Sequence, residues 1–206
     1  MKTDIVNVFP SGDGRDQALD LTERTGAYCG LDQKASLRLR LLSEELIELI
    51  RSFSKDIKSE FWLETAGNNN IELHLKTTIA MDLQTKKELL SVSSSGKNSA
   101  AKGIIGKIRE MIASVTLPDD PESQSMAQQA LGLMALGTQM GSYYGGSYSW
   151  SLATYMASVD RANLETEDVK EAKDELEKSI VANLADEIKV NIVGSDVEVI
   201  IYKSFG

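Results

Sequence analysis

The chain has 206 residues, of which 42% are hydrophobic and 26% charged, enough apolar mass for a sizeable buried core. Asp and Glu number 31 against 22 Lys and Arg, a formal net charge of -9. Such a surface repels phosphate backbones, so the expectation is no nucleic-acid binding; Lys97, Lys102 and Lys107 are the nearest approach to a basic patch.

Cys29 is the only cysteine, which excludes an internal disulfide and fits a reducing compartment. Met1 to Val8 holds no apolar run of signal length, and the expected location is cytoplasmic. Ile5 to Phe9 reads as a short strand stopped by Pro10-Ser11-Gly12. Asp13 to Tyr28 then has helical spacing, with Ala18, Leu21 and Thr25 in register. Asp32 is the expected N-cap of a helix from Gln33 to Phe53, whose apolar face is read as Leu37, Leu41, Leu42, Leu46, Leu49, Ile50 and Phe53.

Glu60 to Thr65 and Ile71 to Ile79 flank Gly67-Asn68-Asn69, the chemistry of an antiparallel hairpin. In the second strand Ile71, Leu73, Leu75, Thr77 and Ile79 alternate with Glu72, His74, Lys76 and Thr78. That pattern predicts one covered face and one wet face, with His74, the sole histidine, as a solvated strand residue on the wet one. A short helix is expected after Asp82, a loop over Ser91 to Lys102, and a helix buried along Ile104, Ile105, Ile108, Met111, Ile112 and Val115, closed by Pro118.

Ser123 to Val159 contains no formal charge and four of the six tyrosines. It reads as a flexible or partner-covered insert, with self-association or a protein partner expected through residues 123–159. A core helical pair is the second reading. Gln, Ser, Thr and Tyr dilute the stretch too much for a membrane span. Thr166 to Leu184 is an amphipathic helix with Val169, Ala172, Leu176, Ile180 and Leu184 on its apolar side and an Asp174–Lys178 pair outside. Ile188 to Val193 and Val197 to Tyr202 form a closing hairpin around Gly194-Ser195.

Two acids carry the chemical interest. Leu37, Leu41, Glu44 and Glu48 follow steps of four, three and four, so both carboxylates continue an apolar row on one helix face. Oxygen ligands so placed suit a magnesium ion or the orientation of a water. Arg40 and Arg51 lie within helical reach, and ordinary surface ion pairs are the competing reading. Ser95-Gly96-Lys97 is not a P-loop, since Ser91 and Asn98 replace its leading glycine and its hydroxyl.

The helix bearing Ser43-Glu44-Glu45-Leu46-Ile47-Glu48, the hairpin, Asp82 just past a strand, and the glycine-bearing loop and helix of Gly96 to Ile108 together resemble the GHKL ATPase fold. The similarity is to its anti-sigma-factor kinase and histidine-kinase members, over roughly Ala18 to Val115 and Ile188 to Tyr202. It implies an α+β two-layer sandwich of histidine-kinase-like ATPase (Bergerat) type, with a mixed sheet, helices on one face and a helical or flexible insert. Residues 1–117 and 164–206 then form the ATPase-type domain, and 118–163 the insert.

By that resemblance Glu44 falls at the water-activating acid. Glu48 falls where the family has a magnesium-ligating asparagine. Asp82 takes the adenine-recognising position, though Leu83, Gln84, Thr85 and Lys86 follow it without the family's glycine. Gly103 and Gly106, with Lys97 and Lys102 nearby, stand in for half of the second glycine box and would receive phosphate. The implied function is a regulatory protein that binds ATP and magnesium through degenerate motifs with little or no turnover. A structural or protein-interaction domain without a nucleotide is the alternative.

Overall fold

A computed structural model describes residues 1–52, 57–67, 69–79, 104–115, 138–139, 147–161 and 167–206. Asp82, Lys97, Lys102 and Gly103 lie outside the described residues, as do the helix expected after Asp82, the loop at Ser91 to Lys102 and most of 118–163. The fold is α+β. Its residues divide into two compact units, Met1–Thr78 with Leu184–Ile188 and Glu198–Gly206, and Ile79–Asn183 with Lys189–Val197.

The first unit opens with β1 (Val6–Val8), followed by α1 (Arg15–Tyr28), which starts directly after Gly14. That glycine has φ +79°, and a Cβ there would stand 1.9 Å from the Asn7 carbonyl oxygen, so no other residue fits this strand-to-helix turn. α2 (Gln33–Glu48) begins where expected: the Asp32 carboxylate accepts the Ala35 amide at 2.7 Å. Its last turn is a 3-10 turn, Leu49–Ser52, with Leu49 and Ile50 fully buried.

The buried stripe of α2 is Leu39, Leu42, Ser43, Leu46 and Ile47. Leu37, expected on the apolar face, is 57% exposed. Leucines occupy both flanks of this helix, so periodicity alone does not choose between them. Packing against α1 selects the flank that carries Leu39 and Ser43.

β2 (Ser59–Ala66) and β3 (Asn70–Thr78) pair antiparallel with Trp62 opposite His74, and β1 pairs antiparallel with β2 with Val6 opposite Phe61. α1 lies against β1 and β2, and α2 against β3. Gly67 and Asn69 take positive φ in the hairpin turn. β3 is followed in hydrogen-bonding order by β7 (Asp196–Ser204). Phe205 N–H donates to the Asn69 carbonyl at 2.9 Å, and Ile79 N–H to that of Ser195 at 2.8 Å, so opposite ends meet and these strands too are antiparallel.

The expected mixed sheet is therefore corrected: among the described residues the strand pairings are antiparallel. Consecutive strands joined by turns as tight as Gly67 to Asn69 and Gly194-Ser195 have no room for the crossover that a parallel neighbour needs.

Ile71, Leu73, Leu75 and Thr77 form the covered face of β3, as the alternation predicts, and Ile79, just past the strand, is also buried. His74 departs from expectation. It is only 6% exposed, because its ring stacks on Trp62 at 4.7 Å between centroids and 9° between planes. The hairpin register places these two side chains directly opposite each other, and the indole removes the imidazole from water.

In the second unit α3 (Ile104–Val115) buries Ile104, Ile105, Ile108, Met111 and Ile112. β4 (Thr138–Gln139), β5 (Ser147–Ser151) and β6 (Glu187–Val193) pair in sequence, antiparallel, with Trp150 opposite Val190. α4 (Leu152–Arg161) follows β5 and packs against it. Trp150 and Tyr155 are buried with ring centroids 5.8 Å apart, so residues 147–159 of the charge-free stretch supply sheet and core.

The long helix expected from Thr166 to Leu184 is instead α5 (Glu167–Lys178) and α6 (Ile180–Leu184). Ser179 divides them, its hydroxyl accepting the Ala182 amide at 3.2 Å. The break rotates the register, leaving Ile180 53% exposed and Val181 buried. Asp174 and Lys178 pair at 2.6 Å as predicted.

Candidate functional site

The two acids on α2 stand one turn apart, and the fold gives them different surroundings. Glu44 is half-buried, and a single oxygen, Oε1, meets both Arg40 Nε at 3.1 Å and Arg15 at 3.7 Å. Arg40 also reaches Glu23 on α1 in a close ion pair. Its guanidinium is held above the ordinary arginine range by the Glu23 contact first and the Glu44 contact second. The surface ion pair, the competing reading of this acid, is the geometry observed for Glu44.

Glu48 is exposed at the end of α2. Glu45 lies between the two in sequence, and its carboxyl is raised above the usual range, by burial first and then by the negative charges of Glu48 and Glu44. Three acids crowd one end of this helix. Among the described residues no group of three or more His, Cys, Asp or Glu is placed to hold a metal ion.

Beside α1 lies an open groove of about 590 Å³, lined by Asp4, Val6, Gln17, Asp20, Leu21, Glu23 and Arg24. None of the site residues expected from the sequence lines it. Three carboxylates against one guanidinium make it unattractive to a triphosphate. Cys29 closes α1, and burial raises its thiol away from the reactive thiolate, the N-terminal ammonium opposing.

In the second unit Gly106 is buried within the first turn of α3. Its neighbour Lys107 turns to Glu175 on α5 at 2.5 Å and to the Tyr155 hydroxyl on α4 at 3.2 Å. Burial pulls the Lys107 ammonium toward its neutral form, but Glu175 and Tyr155 outweigh this and hold it above the ordinary lysine value. The lysine next to Gly106 thus ties three helices together. Sequence spacing gives no sign of this, because Glu175 is far along the chain and is one of many acids on an amphipathic helix.

Comparison of the chain with protein-family models, with curated proteins and with solved structures found no match. None of the described helices is long and apolar enough to cross a membrane.

Proposed function

We propose that the chain is a non-catalytic regulatory module of GHKL type, which binds ATP without turning it over and acts through a protein partner. The motif resemblance around Glu44, Glu48, Asp82, Gly103 and Gly106 supports the nucleotide half of this reading. One observation carries the non-catalytic half: Oε1 of Glu44, the carboxylate at the position of the water-activating acid, is shared between Arg40 and Arg15. A general base is oriented toward the water it activates, and here the carboxylate is oriented by a hydrogen bond from Arg40, with the Arg15 guanidinium 3.7 Å from the same oxygen. Glu48 in place of an amide ligand adds negative charge where the family has none.

The test is a thermal melt with millimolar Mg-ATP beside a phosphate-release assay. A ligand at ten times its Kd stabilises the native state by about 1.4 kcal/mol, which raises Tm by about 3–6 °C for a chain of this size. The expected outcome is that shift without phosphate release. Phosphate release that is lost in Glu44→Gln would overturn the non-catalytic half. A flat melt with no calorimetric heat would overturn the nucleotide half and leave a protein-interaction domain.

A further inference from the structure

The open groove beside α1 is built by two elements of the first unit, and its lining is chemically sorted. On α1, Gln17, Asp20, Leu21 and Arg24 follow steps of three, one and three, so they share one helix face. The facing wall is Val6 of β1, with Asp4 just before that strand. β1 is also the outermost strand of the sheet, so the groove opens at a sheet edge. From Gln17 to Arg24 the helix wall runs about 10 Å, the length of about three residues of extended chain.

The floor is apolar, with Leu21 buried and Val6 half-buried. The rim is charged and uncommitted. Glu23 is held by Arg40, but among the described residues Asp4, Asp20 and Arg24 make no ion pair. Two carboxylates, one from the strand side and one from the helix, therefore share an apolar floor with neither charge answered. Gln17 adds an amide that both donates and accepts.

We propose that this groove docks an extended segment of a partner protein in which a lysine or arginine stands beside an aliphatic residue. The cation answers Asp4 and Asp20, and the aliphatic side chain covers Val6 and Leu21. The Gln17 amide and the Arg24 guanidinium then meet the backbone of the segment, which joins the sheet edge without displacing a strand.

Charge complementarity selects this occupant. The chain carries a net charge of -9, so a second copy brings the same sign, and a nucleic acid is repelled. A free polyamine answers the acids but leaves the Val6 and Leu21 floor in water, whereas a side chain next to the cation covers it.

The inference gives a surface to the partner half of the function proposed above and does not rest on the nucleotide half. Its test contains no ATP, so a flat Mg-ATP melt leaves it standing.

The experiment titrates a fluorescein-labelled peptide of alternating lysine and valine with the chain at low ionic strength and follows anisotropy. Saturable binding is expected, with Kd rising about tenfold when Asp4→Asn and Asp20→Asn are combined, the worth of two exposed ion pairs. Both positions are exposed, so the fold stands without these carboxylates. Asp174→Asn combined with Glu177→Gln removes the same charge from α5 and is expected to leave Kd within about twofold. A lysine–serine peptide of equal charge is expected to bind about fivefold more weakly, because it lacks the aliphatic side chain. Amide shifts at Val6 and Leu21 on titration are expected to mark the groove by NMR. Absence of saturable binding, equal weakening by the two double variants, equal binding of the serine peptide, or shifts confined to other elements would each overturn the proposal.

Discussion

Thr22 of α1 and Ser43 of α2 meet hydroxyl to hydroxyl at 2.9 Å inside a wholly buried helix interface. Thr22 also donates to the Ala18 carbonyl at 2.8 Å, and Ser43 lies 3.2 Å from the Leu39 carbonyl, so each hydroxyl keeps a fallback partner on its own helix. Thr22→Val and Ser43→Ala are each expected to cost about 1 kcal/mol, the net worth of a hydrogen bond whose remaining partner is not orphaned. The double variant should cost less than the sum, with a coupling of about 0.5–1 kcal/mol by urea denaturation. Strict additivity would show that the two hydroxyls do not interact.

Gly14 sets the junction between β1 and α1. Gly14→Ala places a methyl group against the Asn7 carbonyl oxygen in a left-handed backbone. The conformational penalty alone is about 1–2 kcal/mol, and the clash adds to it. A fall in Tm of more than 5 °C, about what this combination implies, is the expected result. Gly30→Ala is the control: φ is also positive there, but a Cβ meets nothing within 4 Å, so only the backbone penalty applies.

Asp32 caps α2 through the Ala35 amide. Asp32→Ala should cost about 1 kcal/mol, and Asp32→Asn or Asp32→Ser much less, because those side chains also accept a hydrogen bond. Circular-dichroism melts of the three variants check the order.

These caps and turns were legible in the sequence because they are local: Asp32 before a helical run, and Gly67 and Gly194 between alternating segments, specify their geometry within a few residues. The alternation of β3 and the stripe of α3 were readable for the same reason. Choices made by distant residues were not. Leucines on both flanks of α2 left its buried face open until α1 took one of them, and Ser179 split a helix whose apolar spacing ran straight through it. His74 was misread as wet because burial came from Trp62, on another strand. For the candidate site, helical spacing brought Glu44 and Arg40 within reach, but Arg15 came from a separate helix.

Lys107 and Glu175 form a largely shielded pair, with side chains 15% and 20% exposed. Glu175→Gln should destabilise the fold by about 1–3 kcal/mol, because the shielded ammonium loses its charged partner and keeps only neutral acceptors, the amide oxygen and the Tyr155 hydroxyl. The Lys107 value is raised on folding, so the stability that it contributes is complete below the unfolded lysine range, about pH 10.4, and is lost as pH climbs through the higher folded value. Alkaline melts above about pH 10 should thus show a steeper decline in wild type than in Lys107→Met. Equal slopes would remove the pair from the pH response.

The neighbour that closes the open side of β3 is β7, more than a hundred residues further along the chain. During synthesis, the β2–β3 hairpin emerges with a row of unpaired amides and carbonyls and must wait for more than a hundred further residues before that row is satisfied. Such a border is a template for pairing with foreign strands. A protein stopped after Thr78 would therefore aggregate rather than fold, because the strand that satisfies β3 has not yet arrived.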